Sequence, residues 1–167
     1  MTDPGMLTIG STRGPDDEPV CELAWAGSSW YAPVADVRTA ALDALSCAAY
    51  AEMLMLLAGK LKLPGPTASA LITDLLRSTG RTRFGTKSTV GLLPAGSTKT
   101  GEASVLITRG NTRGSVSAEE ARKMALRWLV TAEGTESDQL LSEALRGAGI
   151  GADTTGRVFG YLQELRR

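Results

Sequence analysis

VRTAALDAL (residues 37–45) and ARKMALRWL (residues 121–129) lie 84 positions apart, as one duplicated segment would or as two amphipathic helices sharing Ala and Leu positions would, and the element order around them is the same under both readings. The first opens a helix over Ala35–Ala58. Asp36, Thr39, Asp43 and Ser46 recur there at spacings of three, four and three, which draws one polar stripe along an otherwise apolar helix. The second opens a helix whose Ala121, Met124, Ala125, Trp128 and Leu129 form an apolar face, preceded by the capping-box pair Ser117 and Glu120.

Working outward, Leu7–Ile9 falls over Gly91–Leu93 at the same offset, and Gly27 falls over Gly110 with a slip of one. Both halves then read strand, loop, strand, turn, strand, helix. Val20–Ala26 alternates, with Cys21, Leu23 and Trp25 on one face, and Trp30–Val34 returns after a turn at Gly27-Ser28. Strands are expected over Ser88–Ala95 and Glu102–Arg109, with a turn at Gly110–Gly114. A second helix follows Pro64-Gly65-Pro66 and shows the apolar face Ala68, Leu71, Ile72, Leu75 and Leu76, up to Gly80. After Gly134 come two further helices, Ser137–Arg146 and Thr154–Arg166, split by the Gly-rich stretch 147–151.

The expected fold class is therefore α+β. Short antiparallel strands pack on a long central helix, in a tandem β-β-β-α arrangement with a helical C-terminal cap. Segments 1–80 and 81–167 read as two lobes of one compact domain.

Of the 167 residues 43% are hydrophobic and 22% charged, which argues against wholesale disorder. Aromatics make up 5%, so the core must lean on Leu, Val, Ala and Met. The sequence holds no His, which removes Ser-His-Asp and Cys-His nucleophile systems and the usual zinc sites. Its two Cys, Cys21 and Cys47, read as small buried hydrophobes and not as a bridge. With no secretory pattern near Met1, a cytoplasmic setting and no membrane span are expected. Arg outnumbers Lys thirteen to five and Ala and Gly abound, the flavour of a GC-rich genome and of small accessory proteins of phages or mobile elements.

The formal net charge of zero hides an asymmetry. Residues 1–57 carry a net −6 and residues 77–113 a net +6, so the two segments could pair between copies of the chain. The basic segment could also meet a phosphate backbone or an acidic partner, with Arg81, Arg83, Lys87, Arg109 and Arg113 as contacts. Trp30 and Tyr31, beside the first turn, are candidate interface aromatics. The last two helices could form a helix-turn-helix presenting Thr154, Thr155, Arg157 and Gln163, although their seven-residue connection exceeds the usual three or four.

Catalytic signals are thin. The stretch from Gly91 to Thr100 places Lys99 three residues past Gly96 and is followed by a strand, so it does not make a phosphate-binding loop. No Gly-x-Ser-x-Gly elbow occurs, and Asp16, Asp17 and Glu18 match no calcium loop. The sequence thus points to no catalytic, metal or cofactor residues. It suggests a non-enzymatic interaction protein acting as a homo-oligomer on itself and another protein. The alternative is a DNA-associated regulator using segment 77–113.

Overall fold

The structure is a computed structural model and describes residues 6–16, 18–78, 84–97 and 100–165. Ten elements run in two rounds of the same order. The first round is β1 (Thr8–Arg13), β2 (Pro19–Trp25), β3 (Ser28–Ala32), α1 (Val34–Lys60) and α2 (Gly65–Ser78). The second is β4 (Gly91–Ser97), β5 (Glu102–Arg109), β6 (Thr112–Ser117), α3 (Ala118–Gly147) and α4 (Ala152–Leu165). Each round makes one three-stranded antiparallel sheet, ordered β1-β2-β3 and β4-β5-β6. The α+β class and the repeated β-β-β-α order read from the sequence are both present.

The 84-residue shift holds in detail: the second hairpin of each sheet pairs Trp25 with Ser28 and Arg109 with Thr112. The one-residue slip of the turn glycines has a conformational cause. Ala26 and Gly27 both take positive φ, +50° and +77°, as a type I′ turn requires. In the second turn Gly110 alone does so, at +56°, the type II′ pattern, so its glycine stands one place earlier. Gly110–Gly114 is accordingly a two-residue turn followed directly by a strand.

The helices exchange sheets. α1 lies chiefly on β4 and β5, and α3 lies chiefly on β1 and β2. Gln139 of α3 donates from Nε2 to the Pro19 carbonyl at 2.8 Å, and the thiol of Cys21 on β2 donates to Thr135 Oγ1 on α3 at 3.5 Å. Burial pushes the Cys21 pKa up, partly offset by that Thr135 contact. On the other side, Met55 of α1 packs so close to β4 that a Cβ at Gly96 would fall 2.1 Å from its Sδ. One apolar cluster joins both rounds, including Leu23, Val37, Leu92, Val105 and Trp128.

α1 and α3 pack antiparallel. Val37, Ala41, Ala44 and Ala48 are buried on one, and their 84-shifted counterparts Ala121, Ala125, Trp128 and Ala132 are buried on the other. Small residues along this seam let the backbones approach closely around the single large Trp128. By length and composition α1 could cross a membrane; here nine of its residues are buried, from Val34 to Ala51.

The expected break at Gly134 does not occur. α3 runs on for 30 residues because Thr135, Asp138 and Ser142 continue its buried stripe past the glycine. Burying that stripe outweighs the roughly 1 kcal/mol that a mid-helix glycine costs. A Cβ at Gly134 would meet nothing within 4 Å. Gly134→Ala should therefore stabilise the protein by about 0.5–1 kcal/mol, read as a raised urea midpoint; a lowered midpoint would show that the glycine is required. The helix ends instead in a Schellman turn. Gly149 takes φ +74°, its N–H reaches the Arg146 carbonyl, and the Ile150 N–H reaches that of Leu145.

Candidate functional site

The basic segment divides on inspection. Arg81 and Arg83 lie outside the described residues. Lys87 and Arg113 are exposed. Arg109 is half-buried, its guanidinium 3.7 Å from the centre of the Trp30 ring, and it donates to the Thr89 carbonyl at 2.5 Å. Trp30 Nε1 in turn donates to the Ser88 carbonyl at 2.9 Å. Burial lowers the Arg109 pKa. Trp30 and Arg109 thus form a cation–π joint between the two rounds. Tyr31 remains 49% exposed on β3, opposite Glu22.

The polar stripe on α1 turns out to hold the segment leading into β4. Ser88 Oγ donates to Asp36, and the Gly85 N–H donates to Asp43 Oδ2 at 2.7 Å. Thr86 and Thr89 hydrogen-bond to each other, and Phe84 stacks at a tilt on Tyr50 of α1. Acidic first-half residues and the basic second-half segment therefore meet inside one chain. Asp43→Ala would leave the Gly85 N–H without its acceptor, a loss of about 1–3 kcal/mol. It should also speed limited proteolysis at Lys87; an unchanged midpoint and cleavage rate would show that Asp43 does not hold this segment.

The expected helix-turn-helix falls on a different construction. Its first helix is the last third of α3. Thr155 is buried and its hydroxyl bonds back to the Gly151 carbonyl. Phe159 is buried and lies under the Arg13 guanidinium, 4.8 Å from the ring centre. Arg157 is exposed, and the Gln163 side chain lies outside the description.

A feature that the sequence reading missed lies on the outside of the helix pair. Leu42, Met53 and Leu56 on α1 are 41–52% exposed, and Leu126, Val130 and Leu140 on α3 are 57–73% exposed. With Ser46 and Ala49, the α1 stripe runs 42, 46, 49, 53, 56; the 84-shifted α3 positions are 126, 130, 133, 137, 140. These are alternating steps of four and three, the spacing of a helix-packing seam. The signal was present in Ala35–Ala58 as an excess of apolar positions over what one buried face can use.

Ion pairs cross between the two stripes, joining α1 to α3, and they repeat under the same shift. Arg38 binds Glu136, and also Glu133 at 2.7 Å; Arg122 binds Glu52 with contacts of 2.5 and 2.6 Å. Residues 38 and 122, and residues 52 and 136, are 84 apart, so the two bridges are related by a pseudo-twofold between α1 and α3. The hydrogen-bonded arginines hold Glu52 and Glu136 below the ordinary carboxylate range, and the same bonds raise both arginines. Such exposed pairs add little stability, but they leave the ground between the apolar stripes nearly neutral.

Two open clefts complete the surface. One, of about 440 Å³, lies beside Phe84–Leu93 and Arg109. The other, of about 680 Å³, lies where the end of α1 meets α2 and β5, lined by Met55, Leu56, Leu63, Pro66 and Ala103. Neither brings several carboxylates together. Among the described residues no group of three Cys, Asp or Glu is placed to hold a metal ion.

Comparison with family models, with curated proteins and with solved structures found no match.

Proposed function

We propose that this is a non-enzymatic interaction protein, and that it binds another protein surface through the outer face of the α1–α3 pair. One observation carries the reading. Six large apolar side chains, Leu42, Met53, Leu56, Leu126, Val130 and Leu140, stand exposed on two helices that pack side by side. Large exposed apolar side chains gathered on one face, with polar groups beside them, mark interaction sites in folded proteins.

A photo-crosslinking residue at position 42 or 130, introduced in cells, tests this. Both positions should yield covalent adducts, while position 157 on the exposed side of α4 should yield none. Absence of adducts from 42 and 130 would contradict the reading.

The DNA-regulator alternative rests on Lys87 and Arg113, the exposed and described members of the five contacts named from the sequence; Arg77 is exposed too but pairs with Asp74. Anisotropy of a labelled duplex across a salt series tests it. Each phosphate contact contributes roughly one unit of log–log salt slope, so two contacts give a shallow dependence. Binding that collapses steeply with salt would move the site to the basic segment.

A further inference from the structure

We infer that the occupant of the α1–α3 outer face is a second copy of this chain, seated face to face so that four helices form the middle of a closed dimer with the sheets outermost. The inference rests on the binding face proposed above and names its partner.

Three observations favour a second copy. The first is symmetry. Leu42 with Leu126, and Leu56 with Leu140, are related by the 84-residue shift that relates the two ion pairs. A twofold interface requires a patch that is complementary to itself. Because α1 and α3 are antiparallel, a copy turned over about an axis in the plane of the face lays antiparallel helices on antiparallel helices. The shift matches the leucines at the two ends of the stripe, while Ser46, Ala49 and Met53 fall on Val130, Glu133 and Ser137, so the leucines are the part of the face that repeats.

The second is charge. The face carries Arg38 and Arg122, paired across the two helices with Glu133, Glu136 and Glu52, and Lys123 paired with Glu119. A like face therefore meets neutral pairs and not its own uncompensated charge.

The third is extent. The exposed fractions of the six large side chains amount to roughly 600 Å², against about 800 Å² per partner in a standard specific interface. Exposed Ala49 and the ion-pair stems supply the rest. That size, without large aromatic anchors, points to a dimer of micromolar strength.

The test is sedimentation of the wild-type chain over a concentration series, beside Leu42→Lys, Leu126→Lys and the control Arg157→Glu. The first two positions are more than half exposed, so the variants should keep the wild-type circular dichroism and melting curve. The wild type should dimerise in the micromolar range and go no further. Each lysine variant should weaken the dimer at least tenfold and by similar factors, while the control leaves it unchanged. A dimer indifferent to both lysines would overturn the inference. A wild type monomeric at every concentration would overturn it too. In that case adducts from position 130 to a different protein would leave the binding face standing, and no adducts would remove both.

Discussion

Gly85→Ala is expected to lower stability by about 3 kcal/mol or more, a large part of the total stability of an ordinary domain. Gly85 takes φ +80°, and a Cβ there would lie 1.8 Å from the Val90 carbonyl oxygen and 2.9 Å from its carbon. Both are backbone atoms of a residue only 1% exposed, so neither can move aside cheaply. The left-handed conformation alone costs an L-residue about 1–2 kcal/mol. Relieving the clash would in addition pull the Gly85 N–H off Asp43 and break the Leu92 N–H bond to the Phe84 carbonyl. Gly101→Ala is the matched control. Its φ is +74°, but the added Cβ meets nothing within 4 Å, so about 1–2 kcal/mol is expected. Urea midpoints of the two variants decide the matter, and equal losses would show that the clash is relieved by local adjustment.

Trp128→Ala should cost about 3–5 kcal/mol. Trp128 is 1% exposed and is the largest fully buried side chain among the described residues. It lies on the α1–α3 seam, where the neighbouring buried positions are mostly alanine. Alanines cannot reach inward to fill the space an indole leaves, so the cavity should persist. A loss below about 1.5 kcal/mol would mean that the seam collapses around the vacancy, contrary to the close packing described here.

Much of this architecture was legible in the sequence because it is local. The Ser117–Glu120 capping box and the long helix after Val34 rest on nearby residues whose chemistry acts within a turn or two, and the offset of 84 shows because each copy carries such local signals in the same order. In the structure Ser117 Oγ accepts from the Glu120 N–H, and Glu120 accepts from the Ser117 N–H, as the pattern predicts. The joint at Gly134 was misread because glycine marks helix ends on average, whereas here a buried stripe on a distant sheet decides.

The exchange of helices between sheets was not legible. Each amphipathic face states that it must be covered and does not say by what. Likewise Asp36 and Asp43 look like a solvated stripe until the chain from Gly85 to Ser88 returns over them. The second helix shows the limit from the other side. Its apolar face reads as Ala68, Leu71, Ile72, Leu75 and Leu76, yet only Ala68 and Ile72 are buried, while Leu71 and Leu75 are 48% and 39% exposed. Hydrophobic spacing marks a face that can be buried, and tertiary docking determines how much of it is.

The candidate site was less legible than the fold. The sequence drew attention to opposite net charges in segments 1–57 and 77–113, and some of the residues that carry them hold the two segments together by other means: Asp36 and Asp43 accept from Ser88 and Gly85, and Arg109 stacks on Trp30. The exposed stripe on α1 and α3 consists of ordinary leucines, a valine and a methionine. In sequence these cannot be told from the core residues beside them, and only the fold separates Leu42 from Ala41 or Leu126 from Ala125.

The most direct test of the outer face as the surface through which copies of this chain meet is a series of proton–nitrogen correlation spectra of the labelled chain at rising concentration. Amides of residues 42–56 and 126–140 should shift or broaden progressively, while those of Lys87, Arg113 and the outer sheet faces stay fixed. Changes confined to the basic segment or to the sheets, with the helix stripe silent throughout, would contradict the account.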